Sequence, residues 1–428
     1  MTVEAALAFS NHMTRITPEA GVDFVFLANQ LHFLWSRGYF KHRCVNHVNQ
    51  ASFSSTPLAD TVPLLLPPAS EQARISDALS ELLSDLDMAV VTLKRVRAKL
   101  DLYRASVLKD AVEGRLTEDW RRKHPDVEPA TALLERILVE RKQRWEDAQL
   151  ARYREKGQEP PKRWRARYPA PVNGPRPSSP SLPSHWVWAS LDQLGLMDRG
   201  RSRHRPRDAA ELYGGPYPFI QTGDVRRARQ FVREHSQTYS ERGLAQSRLW
   251  PADTLCITIA ANIAETAILS YPACFPDSIV GMSFAPGLVS ARFVELAARS
   301  MKATISESAP ATAQKNINNE ILRALSMPLP PFDEQCAIVD AVENQASVLD
   351  YLESAFEARL ATATQLRHAI LRHAFSGQLV PQDPADEPAS ALLARIAGVR
   401  AERDAQSGKA PRSKAIRKRR APAAAPDQ

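Results

Sequence analysis

The sequence has few cysteines, and none of them is spaced as a pair. Its four cysteines are scattered through 428 residues without a CxxC spacing, so neither a disulfide framework nor a zinc site is indicated. It also lacks a run of about 18 apolar residues, and its start lacks the basic region and apolar core of a signal peptide. These absences predict a cytoplasmic protein that is neither exported nor membrane-spanning.

Enzyme motifs are missing as well. There is no GxxxxGK[ST] phosphate loop, no Asn-Pro-Pro-aromatic methyltransferase motif, no HExxH and no GxSxG. Asp333 and Glu334 superficially resemble a helicase box, but without a phosphate loop they are better interpreted as the acidic start of a helix. His204 and His235 have no neighbours at metal-ligand spacing. The chain is therefore predicted to be non-catalytic, with no metal site.

Positive charge is concentrated in two places. The net charge is +8, and residues 408–428 contribute seven Lys/Arg against one Asp. Residues 199–233 hold nine arginines and only three acids. Such a patch suits a polyanion, although a solvated arginine-rich loop explains the charge equally well.

The most informative feature that is present is a long internal repeat. The stretch LPPxxEQ that begins at Leu66 returns 263 residues later at Leu329. The same offset still relates Gly114 of the first copy to Gly377 of the second. It then slips by four residues, so that Glu128 matches Glu387. The period is too long for a solenoid, and it indicates two copies of a variable body followed by a constant helical spacer.

Each spacer carries a heptad pattern. Apolar residues alternate in steps of four and three through Ile75, Leu79, Leu82, Leu86, Ala89, Leu93, Val96, Leu100, Tyr103 and Val107. This seam, roughly 50 Å long at 1.5 Å per residue, predicts a helix that packs along its whole length against one partner. The second copy repeats the pattern from Ile338 to Ile370, with Gln345 and Arg359 interrupting it. The obvious partner of each helix is the other copy.

The predicted architecture is α+β, with globular bodies separated by two long helices that pair as an antiparallel coiled coil. The predicted parts are an incomplete first body (1–66), a central spacer (67–154) with a long helix at about 71–112 and a small helix, a Pro-rich basic linker (155–183), a second body (184–328), a distal spacer (329–400) with a long helix at about 334–376, and a basic disordered tail (401–428). The first body is less than half as long as the second, so we expect that it cannot close the same core. It is then either misfolded or completed by another chain.

Several stretches resemble one family. They are WVWASLDQL (186–194), YPFIQTGDV (217–225), DTLCITIAANIAETAIL (253–269), QKNINNEIL (314–322) and the two LPPxxEQ helix starts, with SNHMTRI (10–16) and NQASFSSTPL (49–58) in the first body. Together they resemble the DNA-specificity subunit of type I restriction-modification systems, apparently truncated at its N-terminus because the opening half of the first target-recognition domain has no counterpart here.

The resemblance implies a sequence-specific DNA-binding subunit that holds two recognition domains at a fixed spacing. It implies double-stranded DNA, two methyltransferase subunits and restriction/translocase subunits as partners. S-adenosylmethionine, ATP and Mg²⁺ belong to those partners, and no cofactor is expected in this chain. The alternatives are a remnant that forms the coiled coil and binds methyltransferase subunits without reading DNA, and a fused enzyme that acts alone, against which the missing motifs weigh.

Side chains that reach base edges or phosphates are typically Arg, Lys, Asn and Gln. In the second domain the candidates are Arg199, Arg201, Arg203, Arg205, Gln221, Thr222, Asp224, Gln314, Lys315 and Asn316, and in the first they are Asn49 and Gln50. Thr222 to Asp224 can equally be a turn, and Asn316 or Asn318 a helix cap.

Overall fold

The computed structural model describes residue 10, residues 13–47, 50–177, 181–203, 206, 208–307 and 317–406. The helices are α1 Phe24–Ser36, α2 Ser55–Thr61, α3 Ala69–Val112, α4 Glu118–Lys123, α5 Ala130–Glu155, α6 Leu191–Leu194, α7 Thr222–Arg227, α8 Glu241–Ala245, α9 Ala291–Ser300, α10 Lys302–Glu307, α11 Asn319–Arg323, α12 Phe332–Ala374 and α13 Ala389–Gln406. Among these ranges, no helix is long and apolar enough to cross a membrane.

The strands are β1 Val45–His47, β2 Gln50–Ser52, β3 Val187–Ser190, β4 Gly195–Arg199, β5 Tyr213–Phe219, β6 Phe231–Val232, β7 Gln237–Tyr239, β8 Leu255–Thr258, β9 Thr266–Leu269, β10 Ile279–Phe284 and β11 Ser326–Leu329. Short 3₁₀ helices occupy Trp164–Arg167 and Ala210–Leu212. The chain divides into two compact units, Met1–Val96 with Ser354–Gln428, and Arg97–Glu353.

The long helices α3 and α12 have 44 and 43 residues, close to the predicted bounds. Each begins just after a Pro-Pro pair, because proline lacks the N–H that a helix interior requires. Each ends shortly before a glycine with a left-handed backbone, Gly114 (φ 75°) and Gly377 (φ 71°), where a side chain would be strained.

Segments of α3 and α12 pack against each other within each unit and run in opposite directions. In the first unit Ile75 and Leu79 share a buried cluster with Leu371, and Asp87 pairs with Arg367. In the second unit Arg104 pairs with Asp350 at 2.5 Å, and the cluster there contains Val107, Ala111, Ile338 and Val342.

Burial along the heptad seam is uneven. Leu82, Val96, Tyr103 and Leu366 are exposed despite their seam positions. Packing along the whole length of each helix, as the sequence predicts, is therefore incomplete. One facing helix covers only part of each seam side chain, whereas the buried seam residues Ile75 and Leu79 also share a cluster with Phe26 of α1.

The first spacer carries more helix than the sequence predicts. After Gly114 come α4 and then α5, whose 26 residues replace the predicted small helix. The additional turns of α5 are held by the second body, because buried Arg141 donates to the Asp192 carboxylate at 2.8 Å and to the Gly195 carbonyl at 3.1 Å. In the second spacer α13 has 18 residues.

The second body is built on a five-stranded sheet in the order β4-β10-β8-β9-β6, in which only β6 and β9 run parallel. Every residue of β8 and β9 is buried, which is typical of strands covered on both faces. Helix α9 packs on β9 and buries Phe293. A separate pair joins β3 to β11, with Val187 opposite Leu329.

The first body contains α1, the β1–β2 hairpin and α2. Phe26 of α1 enters a buried cluster with Ile75, Leu79 and Phe375, so this body does pack on its helices. Phe24, Trp35, Leu64 and Leu65 nevertheless remain exposed.

A shared hydrogen-bond pattern relates α1 to α9. Gln72 donates to the Pro67 carbonyl at 2.8 Å and accepts from the Asp23 N–H at 2.9 Å. Its repeat counterpart Gln335 donates to the Pro330 carbonyl at 3.0 Å and accepts from the Ser290 N–H at 2.9 Å. Asp23 and Ser290 are the N-caps of α1 and α9, so the two helices occupy equivalent positions in their bodies.

Candidate nucleic-acid interface

Several loops of the second body meet at one end of the five-stranded sheet. Arg199 at the end of β4 lies opposite Val280, and Ile279 lies opposite Thr258 at the end of β8. Thr266, the first residue of β9, lies opposite Ile257. The loops that follow β4 and β8 and precede β9 and β10 therefore share this end, which we call the loop edge.

Arg199 and Arg203 are exposed at the loop edge. Between them, Arg201 is tied to the fold, because its N–H donates to the Phe275 carbonyl at 3.0 Å and its guanidinium lies 3.7 Å from the Asp198 carboxylate. Asp198 also pairs with Arg248 at 3.2 Å. Arg199 and Arg203 are therefore better placed than Arg201 to meet an anion, and Arg205 lies outside the described residues.

The Gln221 segment lies next to the arginine loop. The Ile220 N–H donates to the Cys274 carbonyl at 2.8 Å, one residue from the carbonyl that holds Arg201. Gln221 and Thr222 are half-buried, whereas Asp224 is buried. Asp224 accepts hydrogen bonds from the Gln221 N–H at 2.8 Å and the Ser236 hydroxyl at 3.2 Å, and it pairs with Arg227. This geometry favours the turn-forming interpretation for Asp224.

Helix α7 adds basic side chains that were not among the predicted site residues. Arg226 is exposed and donates to the Asn262 side-chain oxygen at 3.2 Å, which brings α7 to the 259–265 loop. Arg227, Arg229 and Arg233 are exposed around a cleft of about 880 Å³. Their place in the basic 199–233 stretch was the available signal, but sequence does not show which arginines share a surface.

The 259–265 loop has an unusual backbone. Ala261 and Ala264 adopt left-handed conformations, with φ of 64° and 60°. Such conformations are unfavourable for alanine and are found where the fold constrains a loop, often at functional sites. The Ile317 N–H donates to the Ile259 carbonyl at 2.9 Å, so the described chain resumes beside this loop.

Of the remaining predicted residues, only Gln50 is described. Gln314, Lys315 and Asn316 are outside the described residues, as is Asn49 of the first body. Gln50 begins β2 opposite His47. The structure therefore brings Arg199, Arg201, Arg203, Gln221 and Thr222 to one edge.

Two buried acidic residues position the second body. Glu334 is fully buried and accepts hydrogen bonds from Thr117 at 2.7 Å, Arg121 at 2.6 Å and the Trp186 indole at 2.7 Å. Glu295 on α9 accepts from Thr266 at 2.9 Å and from Arg299. Burial raises the pKa of Glu295, while Arg299 and Thr266 partly offset that effect.

Comparison with known proteins assigns the second body to a family. The model for the type I restriction modification DNA specificity domain matches residues 183–355. The EcoDI specificity subunit of Escherichia coli is 26% identical over 368 residues, which cover 81% of this chain and 70% of that protein. The EcoKI specificity subunit of Escherichia coli K12 is 26% identical over 378 residues, covering 85% and 68%. Over most of its length the chain is therefore similar to type I specificity subunits, and its second body matches the DNA specificity domain of that family.

A solved chain from work on complex assembly and conformational transition of the type I restriction-modification system aligns with a TM-score of 0.50. It is 16% identical and covers 82% of this chain and 68% of its own, so it supports the mixed helix and sheet fold. The family match includes β3 to β11 and the first half of α12. The loop edge therefore lies within the matched specificity domain.

Proposed function

We propose that this chain is the DNA-recognition subunit of a type I restriction-modification complex, and that the loop edge of the second body contacts the DNA. The observation that carries the proposal is the convergence, at one sheet end of the matched domain, of Arg199, Arg203, Arg226 and the Gln221 segment. Because the chain is a specificity subunit, the chemistry belongs to other subunits of the complex.

Recognition divides between two kinds of contact. Exposed arginines neutralise phosphates and fix the position of the domain, while hydrogen bonds to base edges read sequence. Arg199 and Arg203 suit the phosphate role because they are exposed, whereas Arg229 already pairs with Asp350 at 3.2 Å. Gln221, half-buried at the start of α7, suits base reading because an amide presents a donor and an acceptor together. In the structure its amide N–H donates to the Gln237 side-chain oxygen, a bond that a base edge would replace.

The helices α3 and α12 would form an antiparallel coiled coil that acts as a ruler. Within each unit their contacts run in opposite directions, and salt bridges such as Arg104–Asp350 and Arg367–Asp87 add to the apolar packing. A 44-residue helix is roughly 66 Å long at 1.5 Å per residue. A rod of fixed length makes the spacing between two DNA contacts strict, because the two contacts must keep the same helical phase.

Two methyltransferase subunits would dock on the outer faces of these helices. Met88, Val91, Leu102 and Tyr351 are exposed apolar residues on α3 and α12, and such residues are typical of surfaces that a partner covers. S-adenosylmethionine would be held by those subunits, and ATP and Mg²⁺ by restriction/translocase subunits that join the same complex. A DNA-bound role of this kind places the complex in the cytoplasm.

The proposal is tested by DNA binding of the complex with its modification subunits at several salt concentrations. Arg199→Ala and Arg203→Ala should each weaken binding and lower the salt slope by about 1, as expected for one lost phosphate contact. Arg136→Ala, an exposed arginine on α5, is the matched control and should change neither quantity. An unchanged slope in both loop-edge variants would show that DNA is bound elsewhere.

A further inference from the structure

A pocket in the first unit has the same walls as the site that holds Trp186 in the second. It encloses about 600 Å³ and is lined by Leu66, Pro67, Pro68, Glu71, Gly377 and neighbouring residues. In the internal repeat Glu71 corresponds to Glu334, and Gly377 corresponds to Gly114. In the second unit Glu334 accepts the Trp186 indole N–H, and a Cβ at Gly114 would lie 3.2 Å from the Trp186 ring.

The two glutamates differ in what they bind. Glu334 accepts three hydrogen bonds, whereas Glu71, only 5% exposed, has no hydrogen-bond partner among the described residues. The Glu71 carboxylate lines the pocket and is not sealed from solvent, so a donor that enters the pocket can reach it. In the second unit, the donor that the second body supplies to Glu334 is the indole N–H of Trp186.

An unpaired backbone edge lies beside the pocket, in a segment that forms no strand in the structure. In the second unit the Leu191 N–H donates to the Leu325 carbonyl, so Leu325, Met327 and Leu329 face β3 with their backbone groups. Their repeat counterparts are Val62, Leu64 and Leu66. In the described part of the chain no hydrogen bond reaches the backbone of these three residues.

The side chains along this edge are correspondingly uncovered. Leu64 is 47% exposed, while its counterpart Met327 is fully buried. The opposite edge is occupied, because the Gln30 side chain accepts from the Leu65 N–H at 2.9 Å and donates to the Leu65 carbonyl at 3.2 Å. The first unit thus has one free backbone edge next to one pocket carboxylate that lacks a donor among the described residues, as a guest strand with a leading tryptophan requires.

We propose that this pocket and edge bind an extended polypeptide segment with the chemistry of residues 183–194. Its tryptophan indole donates to Glu71, and the residues that follow pair antiparallel with Val62, Leu64 and Leu66. The seven tryptophans of this sequence all lie in the described residues and none lines the pocket, so the guest is not among these 428 residues.

The test uses the full chain and a fluorescent peptide that copies residues 183–194, PSHWVWASLDQL, with binding measured by anisotropy. Saturable binding is expected. Phenylalanine at the first tryptophan of the peptide should weaken binding about tenfold or more, because the ring remains while the N–H is lost, whereas phenylalanine at the second should change it little. Glu71→Ala in the protein should weaken binding similarly, and the exposed Glu81→Gln should not.

Changes in the peptide backbone keep the test independent of protein folding. N-methylation at the alanine that corresponds to Ala189, which would face Leu64, should abolish binding, while N-methylation at the preceding tryptophan should be tolerated. Absence of saturable binding to the wild-type chain would overturn the proposal. So would binding that Glu71→Ala leaves unchanged, since the peptide would then occupy another site, such as that of Trp186.

Discussion

The Trp186 indole donates its hydrogen bond to the fully buried Glu334 carboxylate, 148 residues away in sequence, at a distance of 2.7 Å. Trp186 precedes the first strand of the second body, and Glu334 lies in the first turn of α12. Thr117 and Arg121, which follow α3, donate to the same carboxylate. One side chain therefore connects the second body to the ends of both long helices.

Removal of the indole donor should destabilise the second unit. Trp186→Phe leaves one acceptor of a buried carboxylate without its partner, and we expect the free energy of unfolding to fall by about 2–3 kcal/mol. Denaturant unfolding followed by circular dichroism measures this change. Trp188→Phe, at a half-buried position two residues on, is the control and should have the smaller effect. Equal losses would show that Trp186 contributes only its apolar surface.

The buried ion pair between Arg141 and Asp192 should be far more sensitive than an exposed one. Both side chains are almost fully buried and lie 2.8 Å apart. Asp192→Ala leaves the Arg141 charge buried without its partner, which should destabilise the chain by about 3–5 kcal/mol. Glu128→Ala, which breaks the exposed pair with Arg136, should change stability by less than about 1 kcal/mol. A small effect at both positions would contradict the role assigned to the pair in holding α5.

Glu295 should make stability depend on pH in a defined direction. Its pKa is raised in the folded chain, mainly because the carboxyl is buried. Unfolding therefore releases a proton at pH values between its unfolded and folded pKa, and stability falls as pH rises through that window, which begins at about pH 4.3. Glu295→Gln should remove this decrease in melting temperature, and Glu234→Gln, at an exposed position, should retain it. A decrease that persists in Glu295→Gln would have another origin.

The left-handed alanine at position 261 should tolerate glycine. Glycine relieves backbone strain of about 1–2 kcal/mol but loses about 0.5–1 kcal/mol through its unfolded state. Ala261→Gly is therefore expected to raise the free energy of unfolding by about 0.5–1 kcal/mol. Ala298→Gly in α9 should lower it, because that position is helical and buried. Destabilisation by Ala261→Gly would show that the alanine methyl packs favourably enough to outweigh the strain.

The repeat and the long helices were predictable because their signals are local. The heptad steps, the Pro-Pro starts and the trailing glycines define α3 and α12 to within about two residues. Leu255–Thr258 and Thr266–Leu269 are short, largely apolar runs, which are also a local signal and are typical of buried strands. The equivalence of α1 and α9 was missed, because it rests on one hydrogen bond to a glutamine rather than on similar sequence.

The candidate site was predictable only in outline. Basic composition located the 199–233 stretch, but the grouping of Arg199 with Arg226 depends on strand order and on the Arg226–Asn262 contact. Neither follows from sequence periodicity. The partners of Asp224 are likewise set by the turn into α7, which sequence alone could not distinguish from an exposed loop.

The central claim, that this chain directs a modification complex to a DNA sequence, is tested most directly by the methylome. A host without other methyltransferases would express the chain with its cognate modification subunit, and its DNA would be analysed by single-molecule sequencing. We predict a new methylated motif that is lost, with the complex still assembled, when Arg199 and Arg203 are both replaced by alanine. No new motif, with the subunits confirmed to co-purify, would contradict the account.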